Sequence, residues 1–146
     1  MSGKTTVLFL CTGNSCRSQM AEGFARHLHG DLIDAFSAGI ETHGLNPLAV
    51  EVMAELGIDI SQHASKTVDA LRGAGFDFVI TVCSHAQEHC PVYPAETAVI
   101  HRDFDDPPRL AAHAANKAEA LAHYRRVRDE IRDYVSTLPE TLAEQQ

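Results

Sequence analysis

At 146 residues, with 45% hydrophobic and 22% charged residues, the sequence has the make-up of one globular domain with enough chain to bury a core. A formal net charge of −8 argues against general nucleic-acid binding, which needs a cationic face. No segment approaches the roughly 20 apolar residues of a membrane span, and "TTVLFLC" is too short for a secretory signal core.

A cytoplasmic protein is therefore expected, with its four cysteines reduced at rest. Thr5–Cys11 is rich in β-formers and reads as a buried strand, bounded by a Gly/Asn/Ser loop. Ser18–His29 has helical spacing through Met20, Phe24, Ala25 and Leu28, with Gly30 as its stop. Ile33–Ala38 is the second strand. Asn46 followed by Pro47 predicts an N-cap and first turn, for a helix running to Leu56 and ending at Gly57. A short helix is expected near Thr67–Leu71, a third strand in "FDFVITVC" and a fourth at Thr97–His101. Lys117–Leu138 is spaced as a long helix, and residues 139–146 are expected to fray.

Strands alternating with helices predict a single α/β domain spanning 1–146, a four-stranded parallel sheet with helices on both faces. Ligands in such sheets bind beyond the carboxyl ends of the strands. Cys11 and Cys83 each end a strand, and "DFDDPP" follows another, so three reactive features are expected at one edge.

In "CTGNSCRS" a strand turns through small residues into a helix. Such a turn can aim successive backbone N–H groups inward as an anion-binding nest. Thr12, Gly13, Asn14, Ser15, Cys16, Arg17 and Ser18 form the candidate oxyanion loop. Arg17 supplies a planar fork suited to tetrahedral oxyanions. A cysteine facing those donors, Cys11, has a stabilised thiolate and is the candidate nucleophile. Cys16 has no such argument. Cys83 and Cys90 bracket "SHAQEH"; if that segment is helical they lie about 10.5 Å apart along its axis. A disulfide needs Cα atoms within about 7 Å, so oxidation would require unwinding, which makes the segment a candidate redox switch. His85 and His89 have a metal-compatible spacing but no second cluster, and are read as solvated; no metal site is expected.

"CTGNSCRSQMAEG", "SAGIETHGLNP", "GIDIS", "TVCSHAQEHCP", "FDDP" and "RVRDEI" together resemble the thioredoxin-coupled arsenate reductases, which have the low-molecular-weight protein-tyrosine-phosphatase fold. The resemblance runs from Val7 to about Arg132, and only the stretch Arg109–Ala122 fits no segment of the family. It implies that Cys11 attacks arsenate held by the loop and Arg17, that Cys83 then attacks Cys11 and releases arsenite, and that Cys90 attacks Cys83. Thioredoxin would reduce the Cys83–Cys90 disulfide, with no bound cofactor; glutaredoxin with glutathione is the alternative reductant.

Protonating the departing oxygen needs an acid. Crowding among Asp103, Asp105 and Asp106 would favour a retained proton. Motif position, with the acid immediately before a proline, implies Asp106, and Asp105 is the second choice. Some family members hold potassium near the loop with asparagine, glutamate, serine and aspartate side chains. Asn14, Glu22 and Ser37 match three of these, and Lys66 stands in place of the aspartate. The expectation is no potassium, with the Lys66 ammonium in its place and paired to Glu22.

Two other functions fit parts of the pattern. One is a phosphatase acting on phosphotyrosine or another small phosphate monoester with Cys11, Arg17 and Asp106, which would not need Cys83 or Cys90. The other is a non-catalytic oxyanion or redox sensor. Phosphate and sulfate are expected competitors of arsenate, and a monomer is expected.

Overall fold

The computed structural model describes residues 3–71 and 73–144. Four parallel strands form one sheet in the order β2-β1-β3-β4: β1 Thr5–Cys11, β2 Ile33–Gly39, β3 Phe78–Thr81 and β4 Ala98–His101. β1 lies at the centre, pairing Leu8 with Phe36 on one side and with Val79 on the other. Val7, Leu8, Phe9 and Leu10 are all fully buried. Successive strand residues point to opposite faces, so both faces of β1 are covered, which is why this strand reads as an unbroken apolar run.

Helix α1, Arg17–His29, packs on β1 and β2, and α2 is Pro47–Ala54. Asn46 caps α2, its side chain accepting from Leu48 N–H and Ala49 N–H. The turn after α2 closes through Gly57 at φ +76°, a left-handed position that suits glycine. A single 3-10 turn at Val68–Leu71 stands where a short helix was expected. Helix α3, Ser84–Glu88, follows β3, and α4, Pro107–Ala111, follows β4. The long helix α5, Lys117–Ser136, packs on α1, α2 and α4, burying Leu121, Tyr124, Val127, Ile131 and Val135.

Three expectations need correction. The third strand is shorter than "FDFVITVC", although Asp77 N–H to Thr6 O and Val82 N–H to Leu10 O continue its backbone pairing with β1. Helix α4 was unforeseen, yet "DPP" carries its signal: Asp106 precedes prolines at the first helical positions. The C-terminal tail does not fray over 139–144. It forms α6, Leu138–Glu144, because Leu138 and Leu142, four apart, both bury. Gln145 and Gln146 lie outside the described residues. Among the described residues no helix is long and apolar enough to cross a membrane.

Candidate active site

The carboxyl ends of β1, β3 and β4 do converge. Cys11 ends β1, Cys83 follows β3 and Asp106 follows β4, and all three line a pair of adjoining clefts of about 390 and 530 Å³. The inner cleft contains Cys11, Gly13, Ser15 and Cys16. The outer one contains Cys83, Ser84, His85 and Arg109. Thr12, Arg17 and Asp106 line both.

The loop after β1 is tied down by its carbonyls. Cys11 O accepts from Ile40 N–H, Thr12 O from Glu41 N–H, Gly13 O from His43 N–H and Ser15 O from Asn46 N–H. Asn14 O accepts from Gln19 Nε2, and Gly13 O also accepts from Ser65 Oγ. With every carbonyl from Cys11 to Ser15 engaged by the surrounding fold, the loop amides are the groups left to meet an anion. The strap that does this, residues 40–46, is a functional element that side-chain reasoning missed. Its bonds are backbone to backbone, so no residue type advertises them.

Asn14 is the pivot. It sits at φ +48°, the one non-glycine residue with positive φ among those described, in the region that asparagine tolerates best after glycine. Its fully buried side chain donates from Nδ2 to Ser18 Oγ at 2.9 Å. Its Oδ1 accepts from Lys66 N–H at 2.9 Å and from Gln19 Nε2 at 3.1 Å. The backbone donor at Lys66 fixes which end of the amide is oxygen. Because Ser18 Oγ accepts from Asn14, its own proton is free to point at Cys11 Sγ, 2.8 Å away. The chain of contacts continues from Gln19 Oε1 to His63 Nδ1 at 2.9 Å.

Glu22 and Ser37 are buried together, Ser37 Oγ donating to Glu22 Oε1 at 2.6 Å. The cation on Glu22 is not Lys66, however. Arg26 Nε lies 2.9 Å from Glu22 Oε2, one helical turn along α1, with His63 Nε2 at 3.8 Å. Lys66 Nζ donates instead to Ala64 O at 3.1 Å. Burial lowers the Lys66 ammonium from its usual range, against the pull of Glu22 and with the push of Arg26. Asn14 Oδ1 already accepts from two N–H groups, and Glu22 accepts from Ser37 and pairs with Arg26. The pairing was legible, since Glu22 and Arg26 stand four apart on a predicted helix.

Arg17 is held by a bond from Nη1 to Phe104 O at 2.9 Å, with Nη2 3.7 Å from Asp106 Oδ1. Asp106 makes no side-chain cap on α4 and faces the clefts, 39% exposed. Asp105 is separated from it by a bond from Arg126 Nη2 at 2.8 Å. One member of the anticipated carboxylate cluster is thus neutralised by α5. Asp103 accepts from Ser84 Oγ at 3.4 Å.

The remaining cysteines differ sharply. Cys83 is buried and caps α3, its sulfur accepting from Ala86 N–H at 3.4 Å and lying 3.3 Å from Thr12 Oγ1. Burial, with Cys11 adding to it, pushes the Cys16 thiol far up, so Cys16 stays protonated in its place beside the loop. Cys90 is half-buried, and burial raises its thiol too. Helix α3 ends at Glu88, so Cys90 lies beyond it rather than on its face. The segment is therefore a five-residue helix and a short exit, not the continuous helix considered from the sequence. His85 and His89 stack ring on ring at 4.2 Å. Among the described residues no cluster of three or more histidine, cysteine or acidic side chains could hold a metal.

Comparison with known proteins adds to this geometry. The sequence pattern of the low molecular weight phosphotyrosine protein phosphatases matches residues 6–146. An arsenate reductase of Halalkalibacterium halodurans is 49% identical over 138 residues, which cover 94% of this chain and 97% of that protein. An arsenate reductase solved in its phosphate-binding state superposes with a TM-score of 0.72 at 33% identity, over 92% of this chain and 95% of the other. A thioredoxin-dependent arsenate reductase of Corynebacterium glutamicum has a TM-score of 0.72 at 26% identity, over 99% of this chain and 65% of that one.

Proposed function

The chain belongs to the low molecular weight phosphotyrosine protein phosphatase family, and from that membership and its arsenate reductase relatives we propose that it reduces arsenate to arsenite through three cysteines. The observation that carries this reading over hydrolysis is Cys83. Its sulfur lies 3.3 Å from the hydroxyl of Thr12, the neighbour of Cys11, inside the cleft that adjoins the oxyanion loop. A phosphatase has no use for a second thiol there.

Arsenate binds to the inward amides of residues 12–17 and to the Arg17 guanidinium. The Cys11 thiolate, facing the Ser18 hydroxyl, attacks arsenic, and an oxygen leaves as water with a proton from Asp106. Cys83 attacks the Cys11 sulfur. The electron pair of the breaking sulfur–arsenic bond stays on arsenic, which falls from the +5 to the +3 state and departs as arsenite. The two thiolates have thereby become a Cys11–Cys83 disulfide. Cys90 then attacks Cys83, freeing Cys11 as thiolate and leaving Cys83–Cys90. That step requires α3 to be remodelled, because Cys90 lies past its end and Cys83 caps its start. Carrying Cys90 out of its half-buried site also removes the burial that raises its thiol. The final disulfide is reduced from outside, by thioredoxin in the first instance and by glutaredoxin with glutathione in the second, in a reducing cytoplasm.

The test is NADPH consumption with thioredoxin and thioredoxin reductase, started by arsenate, in the native chain and in Cys90→Ser. The reading expects sustained turnover in the first and at most one round in the second. Steady hydrolysis of an aryl phosphate that survives Cys90→Ser, without arsenate-dependent oxidation, would instead make the chain a phosphatase.

A further inference from the structure

A protein of net charge −8 must bring a doubly negative oxyanion to a site rimmed with carboxylates. Glu41, Asp103, Asp105 and Asp106 stand at or beside the two clefts. The cations around them are mostly committed. Arg17 is bound to Phe104 O and faces Asp106, and it is only 11% exposed. Arg126 is spent on Asp105 and Glu130. One guanidinium in the lining is not: that of Arg109, an exposed residue that lines the outer cleft with Thr12, Arg17 and Asp106, has no hydrogen bond or ion pair among the described residues.

We propose that Arg109 is the capture residue for the tetrahedral oxyanion, meeting it in the outer cleft and passing it to Arg17 and the loop amides. This rests on the arsenate reading above and adds to it a route of entry. The scaffold suits the role. Pro107 and Pro108 set the start of α4, Leu110 N–H closes on Asp106 O, and α4 packs against α5, so the base of Arg109 is fixed while its charged end stays free. The partner that would otherwise compete for it, Asp105, is neutralised from α5 by Arg126. A free guanidinium in a cleft raises the local concentration of an anion and its rate of arrival, and salt weakens the effect. It acts on arrival, before the chemical step, so it changes kcat/KM and leaves kcat alone.

The experiment compares native chain with Arg109→Ala, Arg109→Glu and Arg109→Lys by arsenate-dependent turnover at about 0.02 and about 0.3 M ionic strength. At low salt, kcat/KM is expected to fall roughly 3- to 10-fold in Arg109→Ala and further in Arg109→Glu, with kcat unchanged and Arg109→Lys close to native. At high salt the differences should shrink to within about twofold. In parallel, inorganic phosphate, which the thiols cannot reduce, is tested for protection of Cys11 against iodoacetamide, an assay that needs no turnover. Arg109→Ala should need several-fold more phosphate. Protection and kcat/KM equal to native in Arg109→Glu at low salt would overturn the capture role and leave the arsenate reading standing. So would a loss that salt does not reduce, because that is what a packing defect in α4 would give. Failure of phosphate to protect Cys11 in the native chain would overturn both.

Discussion

Gly39→Ala is the sharpest structural test of the oxyanion loop. Gly39 ends β2 opposite Cys11, where the strap leaves the sheet. A Cβ there would stand 2.4 Å from Glu41 O and 2.8 Å from both Asn14 N and Thr12 O. The worst of these is about 1 Å inside the 3.4 Å at which ordinary contact begins. All three atoms are backbone, and two belong to the loop, so no side chain can rotate away. The overlap must be relieved by moving the strap off the loop, and the strap's N–H groups hold the loop carbonyls. Overpacking of this kind costs about 1–3 kcal/mol, or roughly 3–10 °C in Tm for a chain of this length. A displacement approaching 1 Å at the amide nest should lower kcat/KM for arsenate by about 100-fold. Gly13→Ala is the matched comparison: its Cβ would fall 2.2 Å from Nδ1 and 2.5 Å from Cγ of His43, a half-exposed ring that can swing out, leaving only a 2.9 Å approach to His43 Cβ for the backbone to relieve. It should cost clearly less than Gly39→Ala in both stability and activity. Thermal melts and arsenate-dependent turnover on both variants decide the matter. A folded Gly39→Ala with native oxyanion affinity and turnover, or a Gly13→Ala as damaging as Gly39→Ala, would refute the claim that the strap shapes the loop.

Asp106→Asn should lower kcat for arsenate by about 10²–10³-fold, while Asp105→Asn, which removes one of the two carboxylate partners of Arg126, should stay within about threefold; equal losses would remove Asp106 from the acid's role. Hydrogen bonds from Arg125, and after burial's opposing effect those from Arg128, hold the Glu55 carboxyl at about 2, against an ordinary 4.5. A depressed carboxyl stabilises the fold fully above its unfolded value and ceases to do so as pH falls through the folded one. Glu55→Gln should therefore be less stable than native by roughly 1 kcal/mol at neutral pH, the pair being partly solvent-screened, with the gap closing between about pH 4.5 and 2. Urea midpoints across that range check it, and a gap that persists at pH 2 would show that the ion pairs are not its source.

Much of the architecture could be read from the chain because its signals are local. Val7–Leu10 is a continuous apolar run since both faces of β1 are covered, and Asn46–Pro47 caps and starts α2 by itself. Cys11, Cys83 and Asp106 were placed correctly at one edge because each follows a parallel strand, and parallel strands end on the same side. What the sequence concealed was chosen by distant partners. By their chemistry alone Asp105 and Asp106 are equivalent, motif position favours Asp106, and it is Arg126, twenty-one residues along the chain from Asp105, that turns Asp105 aside. Lys66 could have served Glu22, but Arg26 on the same helix is already there. Helix α6 is seven residues long, and two buried leucines gave too little periodicity to distinguish it from a tail. The strap at 40–46 works through its backbone, which every residue possesses.

The central claim, that attack by Cys11 ends in electron transfer, is tested most directly by counting thiols. The fully reduced chain, all four cysteines free, is mixed with excess arsenate in the absence of any reductant. Free thiols, arsenite and the positions of disulfides are then measured by titration and by mass mapping of peptides. The account predicts one arsenite per chain, the loss of two thiols and a disulfide between Cys83 and Cys90, with Cys11 again free. Four thiols remaining and no arsenite formed would contradict it.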